Sequence, residues 1–230
     1  MYVLGFDTAT PSVTVALGSG GEVLGSVRLA GGRRHAEQLA PAVEYLCDQT
    51  GIALDRLAAI AVGVGPGLFT GLRVGVTTAR TLAQALRLPV VAIPTLDLVA
   101  YPLRHARRQI VTVVDARRRE VFWARYQPVP GGVQRVSEYD VAPPAEVVAE
   151  LEAGADETLL AGDGVVAYRE HFVSLDRAEL AGVSFAAPSA TSLVELATAR
   201  VEREEFVSPL EVHPLYLRES DAEIMEAFTP

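Results

Sequence analysis

The chain contains no lysine; all 20 of its basic residues are arginine. That absence excludes the lysine of a phosphate-binding loop, the strand lysine of a protein kinase, and any enzyme that forms a Schiff base through its own amine. Cysteine is nearly as scarce. The single Cys47 rules out an internal disulfide and a cysteine-cluster metal site. Beside Leu46 on a helix, it reads as a small buried hydrophobe. No apolar run approaches the roughly 20 residues that a membrane span needs, so no membrane contact is expected. The opening Met1-Tyr-Val-Leu lacks the basic segment of a secretory signal, and a cytoplasmic location is expected. Positive charge is also short. A formal net charge of −9 argues against strong autonomous nucleic-acid binding. The local exceptions, Arg104-His-Ala-Arg-Arg108 and Arg117-Arg-Arg119, read as solvated loops. A weak RNA-facing patch stays open only beside a more basic partner.

What is present in quantity is apolar. Half of the 230 residues are hydrophobic, enough for one large domain or two lobes of about 100 residues each. Val3 to Asp7, Ser12 to Leu17 and Glu22 to Leu29 read as three strands joined by Thr-Ala-Thr-Pro and Ser-Gly-Gly turns. A helix follows over about Arg34 to Thr50, with Leu39, Val43 and Leu46 on its apolar face. Then come an apolar strand from Ala58 to Val64, a glycine-rich helix to Leu86, a short strand from Pro89 to Ile93 and a helix capped by Thr95. After Gln109 the pattern partly repeats. Ile110 to Asp115 and Val121 to Gln127 form a hairpin, Val133 to Tyr139 a third strand, and Pro143-Pro144 starts a helix. A strand from Thr158 to Ala161, the turn Gly162-Asp-Gly164 and a helix capped by Ser189 follow. Trp123 is expected to pack in this half. The repeat predicts duplicated α/β lobes over 1–104 and 105–207. A tail over 208–230, with a short helix near Ser220 to Phe228, folds back on the first lobe.

The densest signal is Gly63-Val-Gly-Pro-Gly-Leu-Phe-Thr-Gly-Leu-Arg-Val-Gly75. From there a small residue recurs every four positions, at Gly67, Gly71, Gly75, Ala79 and Ala83, and these share a helix face. Each glycine inside a helix costs roughly 1 kcal/mol relative to alanine, so the ridge implies a close approach by another backbone. It reads first as a docking surface; packing within the domain is the alternative. Strand, glycine turn and helix N-terminus also follow in the order of a phosphate loop. However, Leu72 and Arg73 stand where that loop carries Lys and Ser/Thr.

Several segments together resemble the bacterial TsaB/YeaZ family. They are Leu4-Gly-Phe-Asp-Thr-Ala-Thr10, His35-Ala-Glu-Gln-Leu-Ala-Pro41, Gly65 to Gly75, Asp115-Ala-Arg-Arg, Gly162-Asp-Gly164 and Pro214-Leu-Tyr-Leu-Arg218, spread in order along nearly the whole chain. The resemblance implies an α/β, actin-like (ribonuclease H-like) two-lobed fold with mixed sheets opened by antiparallel strands. It implies a non-catalytic scaffold and activator in tRNA threonylcarbamoyladenosine synthesis. The partners would be a paralogous TsaD-like transferase and a TsaE-like ATPase, with tRNA met only through the complex and a homodimer formed in isolation. The expected interface comprises His35, Glu37, Leu39, Val43, Leu46, Gly67, Thr70, Gly71, Arg73, Val74, Gly75, Ala79 and Ala83.

The fold also places three turns where actin-like ATPases hold a nucleotide: Asp7, Thr8 and Thr10; Asp115; and Gly162, Asp163 and Gly164. A carboxylate at each strand end suits a hydrated Mg2+, whereas the bland reading has both aspartates binding turn amides. At the second turn Ala116-Arg117-Arg118-Arg119 replaces the glycines that would cradle phosphate. No cofactor is required, and weak ATP or ADP-Mg binding stays open. The paralogue carries a histidine pair four residues apart where this chain has His35 and Leu39, so no metal site is expected. His35 then reads as a helix-start residue with a local hydrogen bond. A stand-alone actin-like ATPase or kinase is the competing reading, and an RNA-binding module the weakest.

Overall fold

A computed structural model of the protein describes residues 1–30, 32 and 34–218. The chain opens with β1 (Tyr2–Asp7), β2 (Ser12–Ser19) and β3 (Glu22–Ala30), followed by α1 (His35–Thr50), β4 (Leu57–Gly63), α2 (Phe69–Leu86) and β5 (Val90–Ile93). These strands form one sheet in the order β3-β2-β1-β4-β5. The first three are antiparallel, and β4 and β5 run parallel to β1. Helix α3 (Thr95–Ala100) leads to the second half: β6 (Gln109–Arg117), β7 (Glu120–Val129), β8 (Gly132–Arg135), β9 (Asp140–Ala142), α4 (Pro144–Ala153), β10 (Thr158–Ala161), α5 (Asp163–Ala167), α6 (Arg169–Phe172), β11 (Ala178–Leu180) and α7 (Ala190–Glu202). The second sheet runs β11-β10-β6-β7-β8, with β9 pairing β7. It repeats the first scheme, an antiparallel hairpin joined to parallel strands. The expected fold class of two α/β lobes with mixed sheets is what the chain adopts.

Strand β1 is buried from Val3 to Asp7 because both faces of its sheet are covered. On one face Leu4, Phe6, Ile60 and Val62 pack with Leu39, Val43 and Leu46 of α1 and with Val76, Ala79 and Ala83 of α2. On the other, Val3, Ala59 and Ala61 meet Leu193 and Ala197 of α7. Helix α7 is capped by Ser189, whose Oγ accepts the Ser192 N–H at 3.1 Å, yet it does not pack in the lobe its position in the chain suggested. Its apolar stripe closes the first sheet instead.

The second half departs from expectation in short elements. The strand expected over Val133 to Tyr139 ends at Arg135 as β8, β9 begins only at Asp140, and α5, α6 and β11 are pieces of three to five residues. Trp123 is buried in the second-lobe core beside Val111 and Val147, and Cys47 packs against the first-lobe core. The chain after α7 returns across both lobes. Val207 bridges Val90 of the first sheet, Val212 enters the first core, the Leu215 N–H donates to the Val64 carbonyl at 2.7 Å, and Leu217 packs in the second core. The helix expected near Ser220 to Phe228 lies outside the described residues.

Candidate functional site

The turn after β1 is closed from behind. Asp7, Thr8, Ala9 and Thr10 are all buried. The Asp7 carboxylate points inward: Oδ1 accepts the Ala9 N–H at 2.8 Å and Oδ2 accepts the Thr95 hydroxyl at 2.7 Å. The Thr95 Oγ1 in turn accepts the Gly65 N–H at 3.0 Å. Thr95 therefore does not cap α3 as expected; it ties the end of β1 to the glycine turn and to the helix that leads between the lobes. Burial pushes the Asp7 carboxyl up to about 6, against the opposing pull of its Thr95 and Ala9 hydrogen bonds. At Gly63 a Cβ would overlap the Asp7 carboxylate, which is why the strand ends in glycine there.

The glycine ridge faces this same turn. A Cβ at Gly71 would overlap the Thr8 carbonyl oxygen, one at Gly75 the Thr8 hydroxyl, and one at Gly67 would lie 2.6 Å from the Ala9 Cβ. Gly71, Gly75, Ala79 and Ala83 are buried in the chain's own core, as are Leu39, Val43 and Leu46. The ridge admits the β1–β2 turn of the same chain. Contrary to the docking role expected of it, the ridge packs within the chain: these seven residues are buried in the core, and Gly67 is half-buried. His35 is buried as the first residue of α1, with Nε2 2.8 Å from the Thr10 carbonyl oxygen; its bond is long-range, not local. Of the expected interface residues, Glu37, Thr70 and Arg73 are exposed and Val74 is half-buried. The outward faces of α1 and α2 thus carry Ala36, Glu37, Ala40, Glu44 and Tyr45 on one helix and Thr70, Arg73, Thr77 and Thr81 on the other.

The second turn is built from side chains. Asp115 Oδ1 accepts the Arg117 N–H at 2.8 Å and the Tyr168 hydroxyl at 3.2 Å, and Oδ2 pairs with the Arg117 guanidinium at 3.0 Å. Asp163 Oδ1 accepts the Asp115 N–H at 3.0 Å. Burial, with Asp115 close by, lifts the Asp163 carboxyl to about 6. Gly162 and Gly164 leave room for the Val113 backbone, so both glycines seat α5 against β6. A recess of about 490 Å³ brings Asp115 and Asp163 opposite Arg28 and Pro11 of the first lobe. These residues do not fit a magnesium-nucleotide held as actin-like ATPases hold it. Asp7 is sealed away, Asp115 is already engaged, and the second turn carries Ala116 to Arg119 where glycines would cradle a phosphate. Among the described residues no group of three or more His, Cys, Asp or Glu side chains is placed to hold a metal ion.

A larger cleft of about 880 Å³ lies between the first turn of α2, the β6–β7 hairpin and the returning chain at Leu215 to Arg218. Sequence reasoning assigned no role to Phe69 or Tyr216, which meet at its rim with ring centroids 5.1 Å apart. The only sign of them in the sequence was that both fall within motif segments. No helix among the described residues is long and apolar enough to cross a membrane.

Two mixed sheets of one scheme, joined around an interlobe cleft, define the actin-like class. The activator of 2-hydroxyisocaproyl-CoA dehydratase from Clostridium difficile shares that fold at a TM-score of 0.51 and 10% identity over 94% of this chain and all of that one. Residues 26–226 match the family model of TsaD, tRNA N6-adenosine threonylcarbamoyltransferase. The chain is 31% identical to the tRNA threonylcarbamoyladenosine biosynthesis protein TsaB of Haemophilus influenzae, over 95% of this chain and 94% of that protein. It is 29% identical to its Escherichia coli counterpart over 96% of each. YeaZ from Pseudomonas aeruginosa superposes with a TM-score of 0.81 at 33% identity, covering 94% of this chain and 99% of that structure. The chain belongs to the TsaB/YeaZ family.

Proposed function

We propose that this protein acts in tRNA threonylcarbamoyladenosine biosynthesis as a non-catalytic scaffold and activator. It binds a paralogous TsaD-type transferase, a TsaE-type ATPase joins the pair, and tRNA is engaged by the assembly. The observation that carries this reading is the sealed first turn. The carboxylate that would hold a metal in an actin-like ATPase is turned into the core, where Thr95 and the Ala9 amide occupy both oxygens. A chain that has spent this group on its own architecture is suited to support a partner's chemistry. The outward faces of α1 and α2 are the proposed contact. Their charged and polar margins surround Ala36, Ala40 and Tyr45, and Tyr45 is 55% exposed. Because the partner shares the fold, a pseudo-symmetric pairing through these helices is expected, with a homodimer through the same faces when the partner is absent.

Light scattering of the purified chain, alone and with the paralogous subunit, tests the proposal. Wild type should form a heterodimer. The Ala40→Arg and Thr77→Arg variants alter exposed positions only; they should keep the wild-type unfolding midpoint and lose the complex. If both variants associate normally, the contact lies elsewhere. If wild type never associates, the scaffold reading fails.

A further inference from the structure

We propose that the 880 Å³ cleft is a contact site for a single-stranded RNA segment, taking phosphate on its arginines and a base on its aromatic rim. In a chain of net charge −9, the described residues lining this cleft include His35, Arg117, Arg118 and Arg218, with no aspartate or glutamate among those described. Arg117 and Arg218 have carboxylate partners, Asp115 and Glu120, neither of which lines the cleft. Arg218 also donates from Nη2 to the Ala116 carbonyl oxygen at 2.9 Å; each guanidinium carries five N–H donors, so donors remain for a phosphate.

The hairpin that supplies Arg117 and Arg118 is built at a cost. Arg117, Arg118 and Arg119 adopt φ values of 61°, 55° and 61°, a left-handed conformation that glycine or asparagine adopts with less strain. Three consecutive arginines there mark a position where the side chain outweighs the backbone. Opposite them, the first turn of α2 has no side-chain cap and no acidic residue, so its positive dipole end adds to the same field.

The rim supplies the second half of the recognition. Phe69 and Tyr216 are tilted by 31° at 5.1 Å, the Arg73 guanidinium lies 3.8 Å from the Phe69 ring centroid, and its Nε donates to the Tyr216 hydroxyl at 3.4 Å. Tyr216 remains 42% exposed. Aromatic faces beside arginine are the surface on which unpaired bases stack. A free mononucleotide shares this chemistry, but the sealed first turn and missing glycine cradle withdraw the fixed phosphate seat that it needs. The choice of RNA rests on the proposed role in tRNA modification.

The test is fluorescence anisotropy of the whole chain with a labelled single-stranded RNA heptamer at low salt, with ATP and inorganic polyphosphate as competitors. Because relief of the left-handed strain offsets the lost Arg117–Asp115 ion pair, Arg117→Gly/Arg118→Gly should stay folded with an unfolding midpoint near that of wild type. It should weaken RNA binding about tenfold and lower the slope of log affinity against log salt by about 1.4, at roughly 0.7 per phosphate contact. Phe69→Ala should weaken binding five- to tenfold, at the low end of one lost stacking contact, without changing that slope. Absence of binding at low salt, or binding unchanged in both variants, overturns the proposal. ATP competing at equal concentration would make the cleft a small-molecule site, and polyphosphate binding that ignores Phe69→Ala would reduce it to plain charge attraction. Either result overturns the assignment to RNA. Failure here with an intact heterodimer in light scattering refutes the RNA site alone; loss of the heterodimer refutes the scaffold.

Discussion

The Thr8 hydroxyl donates to the Gly71 carbonyl oxygen at 2.7 Å. This contact joins the turn that would hold phosphate in an actin-like ATPase to a glycine inside α2. It requires the helix to lie against the turn at a distance that no side chain at position 71 or 75 permits. The two segments most suggestive of function in the sequence are thus each other's partner.

Gly75→Leu should therefore be a folding variant before it is an assembly variant. Its Cβ alone would overlap the Thr8 hydroxyl, and overpacking a well-filled core costs about 1–3 kcal/mol, more where backbone must shift. Losing a native bond at Thr8 adds about 1 kcal/mol. Urea denaturation should show a destabilisation of about 3 kcal/mol or failure to express as folded protein. A Gly75→Leu chain with wild-type stability that no longer pairs would return the ridge to the role of a docking surface.

The buried carboxyl of Asp7 sets a pH dependence of known sign. Its pKa rises from 3.8 to about 6 on folding, so the native state holds this proton more tightly than the unfolded chain. The associated stability is fully present below pH 4 and is lost as pH rises through 6. A shift of about two units corresponds to roughly 3 kcal/mol as an upper figure. Comparing wild type with Asp7→Asn at pH 4.5 and pH 7 isolates the contribution. The stability difference between the two proteins should move in favour of the variant at pH 7. A difference that is flat across this range would mean that Asp7 is ionised at little cost, contrary to its burial.

Much of this architecture is legible in the sequence, and the limits follow from what periodicity encodes. The apolar run from Val3 to Phe6 reveals a covered central strand, because an unbroken apolar run reports burial on both faces. Ser189 marks the start of α7 through its capping chemistry. Yet an apolar stripe says only that Leu193 and Ala197 are covered, not by which sheet, and α7 crosses to the first lobe. The glycine spacing announced a close approach at Gly71 without saying whether the approaching backbone belonged to the same chain. Asp7 stood at a strand end, where its inward turn depends on Thr95, 88 residues away. The cleft combines residues from α2, the β6–β7 hairpin and the returning chain, and no local pattern links them.

Helix α2 ends on a residue that can be improved. Arg87 occupies the left-handed position after Leu86 with φ 58°, and its N–H donates toward the Ala83 and Gln84 carbonyls. Glycine is favoured there because it lacks the Cβ penalty. Its greater freedom in the unfolded chain offsets part of the gain. Arg87→Gly should raise stability by about 0.5–1 kcal/mol, read as a higher urea midpoint with an unchanged slope. A lower midpoint would mean that the arginine side chain contributes more than its backbone strain costs.

Asp97 on α3 accepts two phenolic hydroxyls on one oxygen, from Tyr126 at 2.8 Å and from Tyr139 at 2.7 Å. Burial raises the carboxyl of Asp97 and pushes both phenols far above their usual range, so the tyrosines stay protonated donors throughout the working pH range. The arrangement fixes the helix between the lobes to β7 and to the segment before β9. Asp97→Ala would strand both hydroxyls at about 1–3 kcal/mol each, and a total loss of about 2–6 kcal/mol is expected in denaturant titration. Tyr139→Phe in the Asp97→Ala background should restore part of that loss, because removing an unpaired donor removes its desolvation penalty. If the second substitution instead adds a further loss, the hydroxyl has found another partner, and the coupling between α3 and the second lobe does not run through Asp97.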